Sequence, residues 1–235
     1  MKIEILFPAF ANLHGEKAAV QYLTQCLPEA EFISTELTDE PAFATEKVDM
    51  IFIGSMTESQ QELCIEKLLP YKKKIEELIL EGTVFLSVGN SLEVFCSSIE
   101  DGDRSIPALG IFDYTAKRDF NRRYNSLILG EMEGMKIVGF KSQFSHLYGD
   151  NKNEYLYKVV RGDGICPGSK YEGIRRNNFM GTYTLGPLLI LNPDFTKYIF
   201  SLLGCENAEL KFEESIRRAY MIRLKEFEDP DRKMD

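Results

Sequence analysis

Residues 83–99 read T-V-F-L-S-V-G-N-S-L-E-V-F-C-S-S-I. The apolar run Thr83 to Val88 is too short for a core helix and stops at Gly89-Asn90, so it predicts a buried strand followed by a sharp turn. Leu92, Val94, Phe95 and Ile99 then predict a helix leading away. Strand, turn and helix in that order form the unit with which a parallel sheet presents a ligand at its carboxyl edge. Upstream the unit repeats. Val48 to Ile53 is apolar apart from Asp49 and ends at Gly54, and Thr57-Glu58-Ser59-Gln60 supplies a capping box for a helix running toward Leu69. Pro70 restarts that helix, which Ile75, Leu78 and Ile79 stripe until Glu81-Gly82 ends it. Ile3 to Phe7 predicts the first strand, Glu16 to Leu27 a helix closed by Pro28, and Phe32 to Leu37 a more polar strand.

Downstream the pattern changes. Leu109 to Asp113, Ser126 to Glu131, Lys136 to Lys141, Tyr155 to Arg161 and Asn178 to Tyr183 are short strand candidates separated by glycines, with no helix between them. Two helices are predicted to close the chain, Pro193 to Leu203 and Glu206 to Phe227. With no linker, repeat or low-complexity segment, the 235 residues are read as one domain, 1–235, with an α/β fold.

Composition excludes several functions. The 28 basic and 37 acidic residues leave a net charge of −9, which opposes binding to a phosphate backbone, so no nucleic acid partner is expected. Only His14 and His146 are present, which removes a multi-histidine metal site. The five cysteines form no C-x-x-C pair and read as cytosolic thiols. No apolar run approaches the roughly 18 to 20 residues of a membrane span, and the expectation is a cytoplasmic protein without a cofactor.

Six strings, in order, resemble the class I glutamine amidotransferase-like domains of the cobyric acid synthase type, and closest the glutaminase subunits of the lipid II isoglutaminyl synthases. They are L-F-P-A-F-A-N-L-H-G-E-K at 6–17, I-F-I-G-S-M-T-E-S-Q-Q at 51–61, V-F-L-S-V-G-N-S at 84–91, L-G-I-F-D at 109–113, V-G-F-K-S-Q-F-S-H-L-Y-G at 138–149 and E-G-I-R-R-N-N-F-M-G-T-Y-T-L-G-P-L-L at 172–189. The resemblance covers residues 3 to about 204. It implies a flavodoxin-like class I glutamine amidotransferase fold, a mostly parallel sheet flanked by helices with an antiparallel extension. It also implies, as a partner, a Mur-ligase-like ATP-dependent amide synthetase, and leaves cell-wall and corrinoid amidation open as pathways.

The same resemblance places a nucleophilic cysteine at the elbow, activated by a histidine, because a thiol with pKa about 8.5 is a poor nucleophile alone. Here Gly89 occupies the nucleophile's position and Leu185 the histidine's. The family's glycine-rich loop keeps Gly54 but has Ser55 and Met56, and Glu93 replaces a glutamine. The E-N-H-G-G string reads K-S-Q-F-S at 141–145, placing Gln143 at its centre, while Arg123 matches a guanidinium that would hold a carboxylate of an amino-acid-like ligand. The expectation is a protein without glutaminase activity. The alternatives are a rebuilt site of Ser91, Glu93 and His146, beside Asn90 at the turn, or an amino acid sensor anchored by Arg123. Cys96 is expected two helical turns beyond the elbow, roughly 10 Å along the axis and out of reach. The plainer readings are a turn glycine at 89, an exposed basic face at Arg118, Arg122 and Arg123, loop histidines at 14 and 146, and core thiols at Cys64 and Cys96.

Overall fold

The computed structural model describes residues 1–234. Strand β1 (Lys2–Leu6), helix α1 (Lys17–Cys26), strand β2 (Glu31–Thr35), the single turn α2 (Ala42–Thr45) and strand β3 (Met50–Ile53) follow one another. Helices α3 (Glu58–Leu68) and α4 (Lys72–Glu81), joined by a 3-10 turn at Leu69–Tyr71, then lead to strand β4 (Val84–Val88). Residues alternate between the faces of these strands: Met50, Phe52, Val84, Leu86 and Val88 pack into one core, Ile51, Ile53 and Phe85 into the other. Both faces are therefore dry, which is why the strands read as nearly unbroken apolar runs. The capping box at Thr57 forms as its spacing requires, with the Thr57 hydroxyl and the Gln60 side chain satisfying each other's backbone N–H.

The second half supplies β5 (Cys96–Asp101), β6 (Arg104–Pro107), β7 (Phe112–Arg118), β8 (Tyr124–Met132), β9 (Met135–Gln143), β10 (Ser145–Tyr148), β11 (Tyr157–Arg161), β12 (Tyr171–Glu172), β13 (Ile174–Arg176) and β14 (Phe179–Thr182). Helices α5 (Leu188–Leu191), α6 (Pro193–Leu202) and α7 (Glu213–Glu228) end the described chain. The main sheet has the order β13-β14-β4-β3-β1-β2, parallel except for the β13–β14 pair. Two four-stranded sheets, β10-β7-β5-β6 and β12-β11-β8-β9, form the antiparallel extension, broken only by the parallel β5–β7 pair. The α/β class and the mostly parallel sheet expected from the sequence are therefore both present. Among the described residues no helix is long and apolar enough to cross a membrane.

Three expected elements differ. The helix predicted from Leu92 to Ile99 does not form. The chain makes a 3-10 coil over Gly89–Phe95 and enters β5 at Cys96. The Asp101-Gly102-Asp103 turn folds β6 back on β5, pairing Ile99 with Ile106, and the strand pairing outweighs a weak helical stripe. Leu109–Ile111 is turn rather than strand, since Gly110 takes a positive φ of 63° and β7 begins only at Phe112. The last helix starts at Glu213, not Glu206, because Phe212 at φ 55° is left-handed and cannot lie within a helix.

Candidate functional site

The sheet core β2-β1-β3-β4-β14 has the 2-1-3-4-5 order of a doubly wound sheet, whose ligands sit outside the strand carboxyl ends where the order reverses. A cavity of about 120 Å³ occupies that place, small beside the roughly 300–1,000 Å³ of ordinary small-molecule sites. Leu13 and His14 reach it after β1, Ser55 to Glu58 after β3, and Gly89 and Asn90 after β4. The antiparallel half closes it with Arg123, Ser142, Gln143, Phe144 and Ser145, and the segment after β14 adds Tyr183 and Leu185.

Two glycines let these loops meet. A methyl placed on Gly54 would lie 2.9 Å from Glu16 Cβ, so the 12–16 loop can pack on β3's end only with glycine there. Gly89 sits at φ 70°, and a methyl on it would lie 2.5 Å from Ser55 Cβ and 3.2 Å from Leu185 Cδ2. The elbow therefore keeps a left-handed turn, while Ser55 and Leu185 fill the space a side chain at 89 would need.

The Glu16 carboxylate folds back over the turn. It accepts hydrogen bonds from the backbone N–H of Ser55 at 3.1 Å and of His14 at 3.0 Å, and a close one from the Ser55 hydroxyl. His14 Nδ1 lies 2.9 Å from Ser55 Oγ. Burial, helped by the Arg123 charge and opposed by Glu16, holds the His14 pKa below its ordinary value of 6.5. The Met56 N–H donates to Asn90 Oδ1 at 3.0 Å, and Asn90 Nδ2 returns a bond to the Met56 carbonyl at 2.8 Å. Both backbone donors of the 55–56 turn are thus consumed inside the protein.

Below the cavity lies a second network. Glu93, fully buried, accepts from Tyr183 Oη at 2.8 Å, from Gln61 Nε2 at 2.9 Å and closely from the Ser145 hydroxyl. Burial pushes its carboxyl up despite these bonds and the Arg118 charge. Arg118 in turn donates to Gln61 Oε1 at 2.7 Å and to Glu62 at 2.9 Å. Alongside, Lys141 and Glu172 form an ion pair with neither side chain exposed, and Glu172 also accepts from Thr182 and the Tyr183 N–H.

Of the residues singled out from the sequence, Ser55, Met56, Gly89, Asn90, Arg123 and Gln143 line the cavity. Gly54 is buried behind its wall. Ser91 is turned away, its hydroxyl bonded to the carbonyls of Val88 at 2.8 Å and Ile53 at 3.2 Å. His146 stands on β10 opposite Lys117, its ring edge-on to Tyr124 at 5.0 Å. Ser91, Glu93 and His146 therefore do not converge, because the first two are held by interior bonds and the third lies on another sheet. Cys96, placed by β5 rather than by a helix, is fully buried, and burial drives its thiol well up. Arg123 is exposed on one side, stacks over Phe144 at 4.5 Å and reaches Ser142 Oγ at 3.4 Å. Gln143 donates to the Ser145 carbonyl while its own Oε1 is buried without a partner. Sequence reasoning passed over Glu16; its only signal was the carboxylate two residues after His14 in N-L-H-G-E.

Solved structures place this architecture in the class of glutamine amidotransferase folds. A glutamine amidotransferase superposes at a TM-score of 0.56 over 86% of this chain and 98% of its own, with 13% identity. A glutamine amidotransferase from Thermotoga maritima gives 0.54 over 94% and 92%, with 9% identity. PurLQS from the same organism gives 0.52 over 95% and 98%, with 10% identity. More particularly, the chain belongs to the CobB/CobQ-like glutamine amidotransferase domain family, whose model matches residues 5–192. It is 27% identical over 179 residues to the GatD subunit of the glutamine-hydrolyzing lipid II isoglutaminyl synthase of Staphylococcus aureus, covering 76% of this chain and 72% of the relative.

Proposed function

We propose that this chain is a glutamine amidotransferase-like subunit that does not hydrolyse glutamine and serves as a binding or scaffolding component of an amide ligase, docked on a Mur-ligase-like ATP-dependent synthetase in cell-wall or corrinoid-type amidation. One observation carries the reading. The niche that a nucleophile at position 89 would fill is occupied by Ser55 and Leu185, so a cysteine there has neither its space nor a histidine at 185. Two facts support it further: the Ser55 and Met56 amides, which would receive an oxyanion, already bind Glu16 and Asn90, and the GatD relative is itself a subunit. The test is ammonia release from glutamine by the purified protein, alone and with a Mur-ligase-like synthetase from the same organism. No release above that of a heat-denatured sample is expected, and a clear glutaminase rate overturns the reading.

A second reading, an amino acid sensor, is favoured by the buried, unpartnered Gln143 Oε1 beside Arg123 on the cavity wall. Thermal-shift measurements against amino acids separate the two, because a ligand at 100 times its dissociation constant adds about 2.7 kcal/mol of stability.

A further inference from the structure

The scaffolding reading assigns no role to the cluster of His14, Glu16 and Ser55, yet His14 and Ser55 line the cavity. We propose that Ser55 is a nucleophile toward small acyl esters, with Glu16 as its base and His14 as the group that orients it. A serine at the end of β3 thus stands beside Gly89 at the end of β4.

Three observations carry this. The first is position: Ser55 lines the cavity, and its Cβ lies 2.5 Å from where a methyl on Gly89 would stand, so it packs directly against the elbow. The second is the direction of the protons. A carboxylate only accepts, so the Ser55 hydroxyl donates to Glu16 Oε1, and the 2.9 Å contact from His14 is then an Nδ1–H donated to Oγ, a tautomer assigned from this network. The third is preorganisation. Glu16 is fixed by the backbone N–H groups of Ser55 and His14, so the base does not have to be recruited. Among the described residues lining the cavity, Arg123 is the single guanidinium or ammonium group. The cavity's size of about 120 Å³ favours a small acyl group.

The step balances as ester hydrolysis. Ser55 Oγ forms a bond to the carbonyl carbon as its proton passes to Glu16 Oε1, and the carbonyl electron pair moves onto the acyl oxygen, whose charge Arg123 offsets. When the carbonyl re-forms, the bond to the alkoxy oxygen breaks and Glu16 returns the proton to the leaving alcohol. Water then attacks the acyl-serine and gives its proton to Glu16. The carbon–Oγ bond breaks, Ser55 recovers the proton, and ester plus water has become acid plus alcohol.

The test uses the intact protein and p-nitrophenyl acetate, following p-nitrophenolate release and locating the acetyl group by peptide mass spectrometry. An acetyl group on Ser55 is expected, lost in Ser55→Ala and formed about 100-fold more slowly in Glu16→Gln, the low end for a general base. Cys166→Ser, at a position that does not line the cavity, should leave the Ser55 label unchanged. If the wild-type protein acquires acetyl groups only on lysines or thiols while Ser55 stays unmodified, the proposal is overturned, whatever the variants do. Should Glu16→Gln lose its thermal transition, Glu16→Asp, which keeps a carboxylate, provides the rate comparison, and an unaltered rate in a folded Glu16→Gln removes Glu16 as the base. Ammonia release from glutamine is read separately, so the scaffolding reading can fail without touching this one.

Discussion

Two carboxylate clusters flank the cavity, and they are built to opposite ends. Glu93 and Glu172 draw their partners from distant parts of the chain: Gln61 on α3, Lys141 on β9, Ser145 on β10, and Thr182 and Tyr183 at the end of β14. They tie the parallel sheet to the antiparallel extension, and every oxygen is committed to that task. Glu16 instead binds two short loops, at 14–16 and 55, and leaves Ser55 and His14 on the cavity wall. Similar hydrogen-bond chemistry thus holds the fold together in one place and stays available to a ligand in the other. Stability variants should separate the two clusters.

The largest effect is expected from Lys141→Met. Removing one partner strands Glu172 as an uncompensated buried charge, and about 3–5 kcal/mol of stability should vanish in urea unfolding. A loss below about 1 kcal/mol would mean that Thr182 and the Tyr183 N–H suffice for Glu172 and that the two clusters are alike. Gly89→Cys comes next: a side chain at φ 70° that meets Ser55 should cost about 3 kcal/mol. Pairing it with Ser55→Gly should recover part of this, while Gly89→Cys with Leu185→His should still release no ammonia.

Glu93 gives the pH arm. Burial raises its folded pKa above the ordinary 4.5, so its contribution is fully present below that value and is lost as pH rises through the raised one. Glu93→Gln cannot ionise. The stability difference between wild type and this variant should therefore move in the variant's favour as pH rises from about 4.5, by up to about 1.4 kcal/mol per pH unit while the window lasts. A difference that stays flat with pH would show the folded pKa to be ordinary. Arg123→Ala should change stability least, by no more than about 1 kcal/mol, since it removes one exposed stacking contact over Phe144.

Much of the parallel half was legible because its signals are local. Alternating burial on two faces, a capping box and a terminating glycine fix β3, α3, α4 and β4 to within a few residues of their observed limits. The strands β5 and β6 were not, since Cys96-Ser97-Ser98-Ile99 carries no periodicity of its own and is decided by pairing with Phe112–Arg118. The cavity divides the same way. Positions 55, 56, 89, 90, 123 and 143 could be named one by one from the resemblance to the family's motifs, and they line one cavity. That Ser91 faces inward, that His146 lies on a different sheet and that Glu16 folds back on a residue 39 positions away follow from tertiary packing, which no local pattern encodes.

On one side β4 pairs with β3 and on the other with β14, and the whole antiparallel extension lies between β4 and β14 in the chain. A parallel pairing with so long an excursion must close a large loop before it gains anything, which slows folding. The elbow at 89–95, sandwiched between β4 and the excursion, then belongs to the last part of the molecule to settle. In a refolding experiment, protection of the Gly181 and Thr182 amides would appear after that of β1 and β3, and the cavity would come into being only at that final moment.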